Sequence, residues 1–127
     1  MLKILKCDYN CGIDQNGLSE LKLINLSAYH NYKIINVNHV KETLQILDCG
    51  SDCGIDQSGI SELNLIELCA YHNNKINNVN HMKETLQILY CGHDCGIDQN
   101  GISELKLTKL DATCNEKIKN ARSPRRA

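Results

Sequence analysis

Residues 65–76 read LIELCAYHNNKI, with Leu65, Leu68, Ala70 and Ile76 in the frame L-x-x-L-x-[AC]-x-x-[ND]-x-x-I. The frame returns every 21 residues: the first leucine is Leu2, Leu23, Leu44, Leu65, Leu86 and Leu107, and the second is Leu5, Leu26, Leu47, Leu68, Leu89 and Leu110. The closing isoleucine is Ile13, Ile34, Ile55, Ile76, Ile97 and Ile118. A constant period over most of a chain marks a repeat architecture, in which a unit unable to bury its own apolar side buries it against its neighbours.

Two kinds of unit alternate. Those beginning at Leu2, Leu44 and Leu86 carry cysteine at the sixth position and run on into CGIDQNGLSEL (11–21), CGIDQSGISEL (53–63) and CGIDQNGISEL (95–105). Those beginning at Leu23 and Leu65 carry alanine and run on into KIINVNHVKETL (33–44) and KINNVNHMKETL (75–86). The unit at Leu107 starts as an alanine unit and loses the pattern after Ile118. Side chains of a strand alternate between faces. In the unit at Leu65, that alternation predicts Leu65, Leu68 and Ala70 facing inward with Ile76, Val79 and Met82, while Glu67, Cys69 and Tyr71 line the opposite face.

The motif resembles the leucine-rich repeat, whose defining segment is L-x-x-L-x-L-x-x-N-x-L/I. Departures are Cys7, Cys49, Cys91, Ala28, Ala70 and Ala112 in place of the third leucine, and Asp52 and Asp94 in place of the asparagine. Units of this length resemble the short, internalin-like type. The Asn/Lys/Ile-rich wording is similar to repeat proteins encoded by giant DNA viruses of amoebae. The resemblance implies a solenoid over residues 1–118: an arc with a parallel inner sheet of about six short strands, an extended or 3₁₀ outer face and a protein-binding role. A basic, disordered tail is expected over 119–127, around Arg122, Ser123, Pro124, Arg125 and Arg126.

The net charge of −1 speaks against nucleic acid or anionic membrane as the partner, since both need a concentrated positive field. The start MLKILKC holds no signal-like apolar run, so the expected location is intracellular and cytoplasmic, in the host cytoplasm if the protein is viral. The eight cysteines are then expected as thiols.

At the ninth position, Asn10, Asn31, Asp52, Asn73, Asp94 and Asn115 are expected to form a column where the chain leaves the strand, its side chains serving unpaired backbone groups. Gly12, Gly54 and Gly96 are expected to permit a bend, and Gly17, Gly59 and Gly101 read as turn residues of the outer face. A cation site built from Asp14, Asp56 and Asp98 is disfavoured, because residues two units apart stand about 10 Å from each other along a stack.

Candidate chemistry is sparse. The C-x3-C pairs Cys7/Cys11, Cys49/Cys53 and Cys91/Cys95 lack zinc-knuckle spacing and read as buried small apolar groups. The eighth position stacks Tyr9, His30, Ser51, His72, His93 and Cys114 along the edge of the inner face, where His72, His93 and Cys114 in successive units, with Cys69 near, could hold a zinc ion. Against that stands a polar recognition strip. His39 and His81 read as structural. A Cys69/His72 or Cys114/His93 pair could in principle form an activated thiol, but nothing marks an orienting third group or a pocket, so neither enzyme activity nor a cofactor is expected.

The solvent-facing strand positions carry Ile4, Ile46, Ile88, Glu67, Tyr29, Tyr71 and Tyr90. With His30, His72 and His93 at the edge, they form the expected binding face for a protein partner. The rival expectation is a self-assembling structural element, of a virus particle for instance, because raw ends expose core leucines and strand edges and so favour self-association.

Overall fold

In the computed structural model, residues 1–9 and 11–121 are described. Six strands, β1 (Ile4–Lys6), β2 (Asn25–Ser27), β3 (Ile46–Asp48), β4 (Glu67–Cys69), β5 (Ile88–Tyr90) and β6 (Lys109–Asp111), form one parallel sheet in sequence order. Every strand is in register with the next at a 21-residue offset, so Leu26 pairs Leu47 and Leu47 pairs Leu68. Short 3₁₀ turns at Asn38–Val40, Ser58–Ile60, Asn80–Met82 and Asn100–Ile102, and one α-helical turn at Gln15–Leu18, form the far side. The arrangement is compatible with a repeat solenoid. Among the described residues no helix is long and apolar enough to cross a membrane. The tail positions Arg122 to Arg126 lie outside the described residues.

The inward set follows the strand alternation. Leu65, Leu68, Ala70, Ile76, Val79 and Met82 are fully buried, whereas Glu67, Cys69 and Tyr71 keep partial exposure. The strands are short because each chain turns sharply at the eighth position: Tyr9, His30, Ser51, His72, His93 and Cys114 all adopt left-handed φ, between 55° and 65°. None is glycine, although that conformation costs other residues about 1–2 kcal/mol. The ladder overrides the cost where it continues past the turn, since the N–H of His72 still donates to Gly92 O at 3.3 Å in the following unit.

The ninth-position column departs from expectation. Asn31, Asn73 and Asn115 are buried as expected, and each carboxamide ties its own turn to the unit before. Asn73 Nδ2 donates to Cys49 O (2.8 Å) and Ile55 O (3.0 Å), and its Oδ1 accepts from Lys75 N–H (2.9 Å). Asp52 and Asp94 instead point outward, with side chains 87% and 91% exposed. An ionised carboxylate accepts but does not donate, and burial there would cost its solvation. The neighbouring cysteine enters the interior in its place: Cys53 is fully buried, and its sulfur accepts from Ile55 N–H at 3.5 Å. Asn10 lies outside the described residues.

The repeated string CGIDQNG proves to be an interlock. Its aspartate caps the outer turn, Asp56 Oδ1 accepting from Gly59 N–H at 2.9 Å, which agrees with turn chemistry. Its glutamine grips the next unit: Gln57 Oε1 accepts from Asn77 and Asn78 N–H (2.9 and 3.0 Å), while Nε2 donates to Asn78 O (2.7 Å). In the inner copies its glycines face the previous unit; Gly54 stands at a bend and Gly59 and Gly101 within 3₁₀ turns of the far side, as expected, and none has positive φ. A Cβ on Gly54 would stand 2.5 Å from Tyr32 O, and one on Gly59 would overlap Ile35 O. Close backbone approach is what excludes a side chain there.

The alanine units answer in kind. Asn38 Nδ2 donates to Ser58 O (2.9 Å), and its Oδ1 accepts from Glu62 N–H (2.9 Å). His39 and His81 point Nε2 at Leu18 O (3.0 Å) and Ile60 O (3.1 Å), consistent with a structural role.

Candidate functional site

The face of the sheet turned away from the core carries three columns of side chains. In the first, register alternates Ile4, Asn25, Ile46, Glu67, Ile88 and Lys109. The isoleucines are therefore spaced by a polar residue each, and they do not fuse into one apolar patch. Ile4 is 61% exposed, and Ile46 and Ile88 are half-buried.

An open hollow of about 470 Å³ runs across this face, walled by Ile4, Lys6, Ile46, Asp48, Glu67 and Tyr90. Asp48 lies near its middle. Its Oδ1 accepts from Gly50 N–H at 3.0 Å, yet burial against the sheet is the larger influence and pushes its carboxyl above the usual carboxylate range. Cys69 beside it is pushed up to about 12, first by burial and then by the Asp48 charge. That environment is the reverse of one that activates a thiol, which needs neighbouring positive charge. Nearby, Ser27 Oγ donates to Asp8 Oδ1 at 2.6 Å, and Tyr29 N–H reaches the same oxygen at 3.2 Å. At the far edge, Lys109 Nζ sits 5.1 Å over the Tyr90 ring and 3.2 Å from its hydroxyl.

Tyr29 and Tyr71 belong to a different feature. At the seventh position tyrosine of an alanine unit is followed by glycine of the next cysteine unit, and a Cβ on Gly50 would stand 3.1 Å from the Tyr29 ring. Each ring thus lies over the following glycine and meets the imidazoles of the edge. Tyr71 is edge-on to His72 (4.8 Å) and His93 (4.6 Å), and His72 stacks on His93 at 4.9 Å. The other cluster joins Tyr9, Tyr29 and His30, with Tyr9 stacked on His30 at 5.3 Å. His30 and His72 approach Asp52 and Asp94 at 3.7 and 3.8 Å.

The residues expected on the binding face thus fall into a hollow holding Ile46, Glu67 and Tyr90, with Ile88 in the same column, and two edge clusters, Tyr29 with His30 and Tyr71 with His72 and His93. The zinc set is not assembled: among the described residues no three His, Cys, Asp or Glu side chains converge on a common point, and His72 and His93 face each other ring to ring. Sequence reasoning missed Asp48 as the central charge. It also missed the glycines under the tyrosine rings, although Tyr29–Gly50 and Tyr71–Gly92 at matching positions carry the signal.

Comparison with models of protein families, with curated proteins and with solved structures finds no match.

Proposed function

We propose that this chain is a leucine-rich-repeat-type interaction module that binds a protein partner on the solvent-facing side of its strands, without catalysis. The observation carrying this reading is the hollow across β1 to β5, in which isoleucine and tyrosine side chains share an open surface with the half-buried carboxylate of Asp48. A charge kept partly desolvated costs stability unless another molecule or group compensates it. Apolar anchors around a polar centre are what protein recognition uses. The family reading is supported by the 21-residue spacing, the asparagine carboxamides at the strand exits and the 3₁₀ far side. The viral resemblance adds a host or viral protein as the natural class of partner.

Affinity capture from lysate tests the reading, comparing the native chain with Ile46→Lys/Tyr90→Ala at equal melting temperature. A protein retained by the first and lost by the second supports the inner face. Equal recovery in both, or no specific protein in either, sinks it.

A further inference from the structure

We propose that the tyrosine side of this face takes a proline-rich segment in polyproline II conformation, carrying an arginine or lysine and laid across the strands. The proposal rests on the inner-face reading and names its class of partner. Its basis is the series Tyr29, Gly50, Tyr71 and Gly92 at the seventh position, in which a ring alternates with a glycine. Strand-to-strand spacing puts Tyr29 and Tyr71, two units apart, about 9.6 Å from each other along the stack. A polyproline II segment rises about 3.1 Å per residue with three residues per turn, so the same side returns after about 9.3 Å. An extended strand shows the same side after about 6.8 Å, and an α-helix after about 5.4 Å or, at two turns, about 10.8 Å. Prolines three residues apart therefore meet both rings.

The rings are held in place before any partner arrives. A Cβ on Gly50 would stand 3.1 Å from Tyr29 Cδ1, and one on Gly92 3.5 Å from Tyr71 Cδ1, so each tyrosine lies down in the room its following glycine leaves. Imidazoles at the left-handed turns brace them: Tyr29 is edge-on to His30 at 5.3 Å, and Tyr71 is edge-on to both His72 and His93. Both tyrosines stay partly exposed. Fixed aromatic platforms suit proline recognition, because a polyproline II segment also has little conformational freedom to lose. Among the described residues neither hydroxyl has a hydrogen-bond partner, whereas that of Tyr90 meets Lys109 Nζ at 3.2 Å. Tyr29 and Tyr71 can therefore donate to backbone carbonyls, which polyproline II leaves unbonded.

Charge selects the basic residue. The Cβ position over Gly50 that lies beside the Tyr29 ring is also 3.2 Å from Asp48 Oδ1, so that carboxylate stands at the foot of the ring. Among the described residues the ion pairs join His30 to Asp52, Lys41 to Glu62, His72 to Asp94 and Lys83 to Glu104, and none engages Asp48 or the neighbouring Glu67. Beyond the imidazoles, Asp52 and Asp94 add exposed negative charge. A cation beside the prolines gains from these carboxylates. A nucleic acid, whose bases could also stack on tyrosine, would bring its phosphates against them.

The test is an NMR titration of the backbone amides of the full chain, under reducing conditions, with the capped synthetic peptide Ala-Arg-Pro-Ala-Ala-Pro-Ala. The amides of Tyr29, Gly50 and Tyr71 are expected to shift, and Tyr71→Ala or Tyr71→Leu to weaken binding about tenfold. One further alanine between the prolines should weaken it similarly, a control that leaves the protein untouched and decides alone if both Tyr71 variants fail to fold. Asp48→Asn should weaken binding of this peptide and not of its counterpart with alanine for arginine. The proposal is overturned if the peptide shifts nothing, if both proline spacings bind equally, if Tyr71 variants of native melting temperature bind like the native chain, or if oligothymidine binds in the peptide's place. A silent titration beside a lysate protein captured through Ile46 and Tyr90 sinks this assignment and leaves the inner-face reading standing, whereas failure of both experiments sinks both.

Discussion

Asn73 Nδ2 lies 2.8 Å from the carbonyl oxygen of Cys49, a strand-exit group of the preceding unit, and this one bond spans 24 residues of sequence. Removing the carboxamide strands two buried carbonyls and one N–H. Asn73→Ala is expected to cost about 2–4 kcal/mol in denaturant unfolding. Asp52→Ala, at the same place in the preceding unit but exposed, should stay within about 0.5 kcal/mol. Equal losses from the two would contradict the exchange of roles between Asp52 and Cys53.

Close approach explains Gly59, whose Cβ position overlaps Ile35 O. Gly59→Ala should therefore destabilise by about 2–3 kcal/mol, because backbone must move to admit the methyl group. A melting temperature equal to that of the native chain would show that the units are not packed this tightly.

The left-handed eighth positions are open to improvement. Ser51 has φ of 55°, so Ser51→Gly relieves the conformation while adding some unfolded-state entropy, for a net gain of about 0.5–1 kcal/mol. Ser51→Val should be clearly destabilising, since a β-branched residue tolerates that region least. Chemical denaturation of the pair reads both signs, and a reversed order would refute the assignment.

Alkaline stability follows from the buried thiols. Burial pushes Cys53 up to about 11 and Cys91 up to about 12 from an ordinary value of 9.0. Below 9 the thiol is protonated in both folded and unfolded chains and contributes no slope. Above it the unfolded chain loses the proton first, so stability falls until the folded thiols ionise at about 11 to 12. Cys91→Ala is expected to flatten this fall between pH 9 and 12, measured by denaturant midpoints. An unchanged slope would remove the thiol as its cause.

Asp48 carries the opposite sign for an aspartate. Burial raises its folded pKa, so near neutrality the charged carboxylate opposes folding, and acidification through its folded range relieves that cost. Asp48→Asn, which keeps the acceptor for Gly50 N–H, should raise stability at pH 7 and lose that advantage in acid. If Asp48→Asn is destabilising at pH 7, the carboxylate is a structural group and ceases to support the proposed binding face.

Sequence periodicity determined the strand positions, their order and the buried set, because an apolar side repeated every 21 residues has only its neighbours to bury against. It also placed the tyrosines and isoleucines on the solvent side, since strand alternation is a local rule. It did not reveal the left-handed turns: Tyr9, His30, Ser51, His72, His93 and Cys114 share no residue type that announces them. Their conformation is imposed by bonds to the neighbouring unit.

Tertiary structure alone decided between Asp52 and Cys53 for the interior, because that choice weighs the solvation of a carboxylate against a sulfur acceptor at one particular turn. It decided that Gly54 and Gly59 are required by the backbone of another unit, a fact invisible within their own string. It also divided one expected face into a central hollow and two aromatic edge clusters. The sequence specifies which side chains leave the sheet on each side, but which of them meet depends on the distance between stacked units and the room left by glycine.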